Sequence, residues 1–190
     1  QNLVWGLTQP FAGMVADRFG SARVMLGGGL LYAAGLALMT YAAAPWLFVL
    51  TAGVLIGMGL SGVTFSVVAG VLGRRFPPEK RSMALGISAA AASFGQFAVL
   101  PLTQWLLASV GWHGALLTLA AVALVIVPLT AAMVERREAA AHVFQQSAGE
   151  AMGEALSHRG YVLLTLGFFV CGFQVVFVGV HLPAYLADRG

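Results

Sequence analysis

Three glutamines, Gln9, Gln96 and Gln174, one histidine, His181, and the hydroxyls of Ser61 and Thr64 stand inside long apolar stretches. A polar group placed in hydrocarbon costs free energy, so each of these is a candidate binding residue by default. An amide offers both donors and an acceptor, enough to hydrogen-bond a carboxylate or a hydroxyl, but it neutralises no charge. Counting about ten helical residues inward from the charged stretches near 17, 83 and 161 sets the three glutamines at one depth. Ser61 and Thr64 fall near that level, and Ser93 and Gln104 extend the Gln96 face. The structural alternative for each amide is an interhelical hydrogen bond that only holds a bundle together. His181 comes seven residues after Gln174, two turns further along the same face, followed by Leu182, Pro183 and Tyr185. Histidine takes and releases a proton near neutral pH, which suits an outer-gate or proton-linked residue. Its structural alternative is an interfacial histidine at the end of a kinked helix.

Chemistry on covalent bonds is not expected. No apolar stretch holds paired carboxylates, a His-x-x-x-His or His-Glu metal spacing, or a nucleophile beside a base, so a membrane-embedded enzyme lacks its parts. No metal or cofactor is expected. Cys171, alone in FFVCGF, leaves no internal disulfide or cysteine cluster and reads as a packing residue.

The elements that must position the amides follow from charge. Of 190 residues only 9% are Asp, Glu, Lys or Arg and 59% are hydrophobic, against about 25% and 45–50% in a soluble domain. Residues 24–73, 82–134 and 160–187 hold no charged residue. A bilayer core needs about 20 apolar helical residues, so the first two runs are each long enough for two spans. The sequence predicts an all-α polytopic membrane protein with spans near 1–16, 24–43, 47–73, 83–107, 113–134 and 160–187. Short turns at 44–46 and 108–112 and a polar loop at 73–81 divide them. Nine of the ten Lys and Arg residues lie in 17–23, 74–81 and 135–159, and the positive-inside rule makes those three segments cytoplasmic. The net charge of +3 is then topological and asks for no nucleic acid. VERREAAAHVFQQ and EALSHRG in the link 135–159 suit short amphipathic helices lying in the membrane interface. Glycine, alanine and serine at 53, 57, 61, 62, 66 and 70, and again at 86–95, offer the small faces on which helices approach closely in lipid. The chain opens at Gln1 inside an apolar segment and reads as a piece of a longer protein.

One loop asks for more than basic residues. In Gly13-Met-Val-Ala-Asp17-Arg18-Phe-Gly20-Ser-Ala-Arg23, Gly13 sits one turn before the membrane exit and Gly20 permits a tight turn. Asp17 suits a neighbouring helix N-terminus or an arginine, and Arg18 and Arg23 hold the loop on its side. This order resembles the loop signature between the second and third helices of the major facilitator superfamily. The resemblance covers the whole chain: six spans similar to the second to seventh helices of a twelve-helix fold. It implies five helices of the N-terminal bundle in 1–134, the inter-bundle link in 135–159 and the first helix of the second bundle in 160–190. It also implies that Arg74 or Arg75 pairs with Asp17, completing a conformational switch. Ser21 and Ala22 stand where many members are basic.

Within the superfamily, AGVLIGMG lacks the arginine many proton-coupled members carry, and GISAAAASFGQFAVLPL lacks the Gly-Pro-x-x-Gly-Gly pattern of drug antiporters. RRFPPEKRSMALGI, SFGQ, LPLTQWLL, GWHGAL and the segment around His181 look like bacterial relatives of monocarboxylate and oxalate/formate transporters, with His113 where arginine is usual. The resemblance implies a secondary transporter of the bacterial inner membrane, moving a small organic anion such as a monocarboxylate with a proton or counter-anion. The alternatives are efflux of drugs or other small solutes on the same fold, or a non-transporting sensor or channel. No span holds a cation near mid-depth, so the charge that would select an anion is not in these residues.

Overall fold

The structure, a computed structural model, describes residues 1–132 and 148–189. Residues 133–147, which hold the end of the expected fifth span, the first half of the expected link and all of VERREAAAHVFQQ, lie outside the described residues. The chain divides into two units, Gln1–Val143 and Phe144–Gly190.

In the first unit α1 (Asn2–Phe19) ends where Gly20 takes φ 95°, its N–H bonding the Ala16 carbonyl. A side chain at that φ would be strained, so the loop turns on a single residue and α2 (Ser21–Met39) starts at once. After a turn over 40–44, Pro45 opens α3 (Pro45–Phe48) at a position where its missing N–H is not needed. The expected turn at 44–46 therefore lies a few residues earlier, with Pro45 and Trp46 already helical. α3 continues as a π-helical stretch, Val49–Leu55, and then α4 (Ile56–Gly62). The Thr51 hydroxyl donates to the Leu47 carbonyl at 2.9 Å, the local bonding that bends helices.

The third expected span is thus not one continuous helix. Val63 (φ −113°, ψ 18°) and Thr64 (φ −71°, ψ 158°) leave the helical region, and α5 (Phe65–Arg75) begins after them. Only Phe76 and Pro77 separate α5 from α6 (Pro78–Ala123), so the expected polar loop at 73–81 is mostly helical, with Pro78 as a helix start. At 1.5 Å per residue α6 would be about 70 Å long, twice a bilayer core. Gly111, at φ 70° and ψ 177°, breaks it into a long piece, 78–110, and a short one, 112–123, which narrows the expected turn at 108–112 to one glycine. α7 (Ile126–Ala132) follows.

Glycine brings α2 and α4 into backbone contact. A Cβ added to Gly28 would lie 2.8 Å from the Gly59 carbonyl oxygen and 2.9 Å from the Gly62 Cα. One added to Gly59 would lie 2.6 Å from the Tyr32 nitrogen. Leu36, Ile56 and Ala120 form a buried cluster joining α2, α4 and the second piece of α6. Ala16, Met25 and Val67 form another, joining α1, α2 and α5.

The second unit holds α8 (Ala148–Ser157), which covers most of EALSHRG, and α9 (Arg159–Arg189), 31 residues with Pro183 inside the helix. Among the described residues four helical stretches are long and apolar enough to cross a membrane: Ser21–Met39, Pro45–Arg75, Pro78–Ala131 and Arg159–Arg189. α1 is more polar, carrying Asn2, Gln9, Asp17 and Arg18.

Candidate functional site

α1 and α5 run side by side in the same direction and meet through polar groups at two levels. At the break between α4 and α5, the Gln9 Nε2 amide donates to the Ser66 Oγ at 3.1 Å. Ser66 Oγ lies 2.8 Å from Thr64 Oγ1, and Thr64 Oγ1 is 3.4 Å from the Ser61 carbonyl. Ser61 is buried and donates to the Met58 carbonyl at 2.7 Å. Non-helical backbone at membrane depth is tolerated where it is buried in protein or lines a cavity. Here its flanking hydroxyls bond one another and the amide of α1. The same break leaves the first N–H groups of α5 without helical partners at the level of these side chains.

Eight residues further along both helices, about 12 Å, comes the second level. The Arg74 guanidinium lies 3.4 Å from the Asp17 carboxylate and donates to Ser21 Oγ at 2.8 Å. One side chain at the end of α5 therefore joins the last turn of α1 to the first residue of α2. Gly70 makes room for it, since a Cβ there would already sit 3.4 Å from the guanidinium. The pair is about one-third exposed on each side, whereas Ser21 is buried at 1% exposure. Coulomb attraction between such accessible groups is modest. The bond from a fixed charge to a buried hydroxyl carries more.

Of the expected switch residues, Asp17, Gly20 and Arg74 converge here, and Arg75 follows Arg74 at the helix end. Arg18 sets its guanidinium over the Phe19 ring at 5.6 Å. Arg23 rims a groove between α1 and α2. A Cβ on Gly13 would meet nothing within 4 Å, which leaves a smooth, open patch on α1.

Of the expected cavity residues, Gln9, Ser61 and Thr64 lie together. Gln96 is exposed on α6 and is not part of that chain. Gln174 and His181 belong to the second unit, both exposed on α9. The His181 ring packs 4.6 Å from Phe177, which stacks on Phe173 at 5.9 Å. Two partners escaped sequence reasoning: Ser66, treated only as a small packing residue, and Ser21. A signal for Ser66 existed. Asp17 and Arg74 are 57 residues apart, and so are Gln9 and Ser66. Two parallel helices keep that offset from turn to turn.

A sequence profile of the Major Facilitator Superfamily matches residues 2–190. The chain is similar to monocarboxylate transporter 13 of Bos taurus, 29% identical over 181 residues that cover 95% of this chain and 42% of that protein. It is 32% identical to monocarboxylate transporter 3 of Gallus gallus over 222 residues, 96% of this chain and 41% of that protein. With monocarboxylate transporter 3 of Rattus norvegicus it shares 38% over 110 residues, 58% of this chain and 22% of that protein. The chain spans less than half the length of these relatives. No solved structure matches it.

Proposed function

The chain belongs to the major facilitator superfamily, and from that premise we propose that it forms part of a secondary transporter moving a small monocarboxylate by alternating access. The observation that carries this reading is the double attachment of α5. One end of this half-helix holds Ser66 against Gln9, and the other holds Arg74 against Asp17 and Ser21. A solute competing for the Gln9, Ser66 and Thr64 groups acts on the same rigid element as the ion pair. Occupancy and the packing of α1 on α5 are thereby linked, which a static pore does not need. Transporter sites of this kind sit at mid-depth beside interrupted helices, whose half-helix N-termini face anionic groups. That arrangement supports an anionic substrate in a set of spans without a mid-depth Lys or Arg.

Residues 17–23, 74–81 and 135–159 are cytoplasmic in this reading, on the strength of their basic residues. We assign 1–134 to the first bundle, 135–159 to the link and 160–190 to the first helix of the second bundle. Gln96 and Gln174, each in its own unit, are our further candidates for substrate contact, His181 is our candidate for an outer gate, and a proton or counter-anion provides coupling. The bacterial inner membrane is our assignment from the resemblance of 74–87, the named relatives being vertebrate.

The test is counterflow of radiolabelled lactate in proteoliposomes holding the intact protein. Uptake should saturate and accelerate when unlabelled lactate is loaded inside. Gln9→Leu and Thr64→Val should each raise the half-saturating concentration about tenfold, the loss of roughly one hydrogen bond of 1–1.5 kcal/mol. Linear, channel-like flux without counterflow overturns the reading.

A further inference from the structure

A groove of about 450 Å³ runs between α1 and α2, with α4 beneath it. Gly27 places no side chain along it, and Gly28 and Gly62 let α2 and α4 close together beneath it. Its α1 wall is Thr8, Phe11, Ala12 and Val15, of which Phe11 and Val15 are exposed, and Leu31 lies at its deep end. Arg23, on the first turn of α2, stands at the other end, at the level of the loop. From Arg23 to Leu31 is eight helical residues, about 12 Å. One leaflet of a bilayer core is about 15 Å deep, so the groove has the length of an acyl chain and a cation where a headgroup phosphate would lie.

The shape of α1 argues for lipid rather than another helix at this place. Helices in membranes dock on small residues, and α1 offers such a face at Gly6 and Gly13, where an added Cβ meets nothing within 4 Å. At about 100° per residue that face points to the opposite side of α1 from Phe11 and Val15. The glycine face is smooth and suits a rigid neighbour. The groove has a floor of small residues but a rim of bulky, exposed side chains, Phe11, Val15 and Leu31, which hold off a rigid helix and suit a flexible chain.

We propose that this groove holds one acyl chain of an anionic phospholipid, from the leaflet that the 17–23 loop faces, with its phosphate against Arg23. The inference needs the chain to lie in a membrane and does not depend on what it transports. Asp17, the acid of the same loop, is engaged by Arg74, so Arg23 presents its charge outward.

The test is native mass spectrometry of the intact protein in mild detergent, titrated with dioleoylphosphatidylglycerol or dioleoylphosphatidylcholine. The anionic lipid should be retained about fivefold better, the effect of one basic residue near a membrane surface. Arg23→Gln should remove that preference and Arg23→Lys should keep it. Gly27→Leu fills the groove from a position where a Cβ meets nothing within 4 Å, and should abolish one bound lipid of either kind. A photo-crosslinking side chain at Phe11 should capture phospholipid in membranes. An unchanged lipid preference in Arg23→Gln, an unchanged lipid count in Gly27→Leu, or capture of another segment of the protein at Phe11 would each overturn the proposal.

Discussion

Replacing Gly28 by alanine should force α2 and α4 apart, whereas the same change one residue earlier, at Gly27, should be harmless. The added methyl at Gly28 would sit 2.9 Å from the Gly62 Cα and 2.8 Å from the Gly59 oxygen. Carbon atoms pack best at about 3.5–4.0 Å, so one helix must retreat by about 0.6–1.1 Å. Both obstacles are backbone, and no side-chain rotation relieves them. Overpacking of this kind costs about 1–3 kcal/mol. At Gly27 nothing lies within 4 Å of the new methyl, and replacing a helical glycine by alanine gains up to about 1 kcal/mol. The two neighbouring substitutions should therefore differ by about 1–4 kcal/mol. Reversible unfolding of the intact protein in mixed micelles, titrated with dodecyl sulfate, measures the difference. Gly28→Ala with Gly59→Ala supplies a second check: the two methyls disturb one contact, so their costs should not add. If Gly28→Ala and Gly27→Ala unfold within about 0.5 kcal/mol of each other, the close approach of α2 and α4 is wrong.

Three further outcomes are expected. Arg74→Ala should cost about 2 kcal/mol in the same unfolding assay, because it strands the buried Ser21 hydroxyl, while Asp17→Asn should cost under about 1 kcal/mol. Equal losses would mean that the ion pair, and not Ser21, carries the junction. Gly111→Ala should destabilise by about 1–2 kcal/mol, since φ 70° puts a Cβ against the following carbonyl; no loss would mean that α6 does not turn there. His181→Asn should alter the pH profile of lactate uptake in proteoliposomes, and an unchanged rate and profile would remove His181 from the gate.

The membrane-spanning character and the tight turn at Gly20 were legible because they depend on local composition and local backbone geometry. Runs without charge must leave water, wherever their neighbours are, and a helix turning on Gly20 needs only that residue's freedom. The family followed from the same residues, as the match over 2–190 bears out. The interruption at Val63 and Thr64 was not legible. SGVTFS holds neither a proline nor paired glycines, and hydropathy reads straight across it. Gly27, Gly28 and Gly29 of α2 drew no notice either. Among apolar neighbours a glycine looks the same whether it faces lipid or touches another backbone.

By itself the sequence determined how many apolar runs this chain has, which ends carry charge, and where Asp17 and Gly20 fall in the loop. These are one-dimensional facts, set by solvation and by backbone geometry within a few residues. Tertiary structure alone decided that Gln9 meets Ser66 rather than Gln96, and that Arg74 reaches past Asp17 to Ser21. It also decided that α2 and α4 touch through Gly28 and Gly59. Those outcomes depend on the offset, direction and rotation of helices tens of residues apart. Hydrophobic patterning is nearly blind to rotation when a helix is apolar all round. Close backbone contact and single hydrogen bonds therefore select the arrangement.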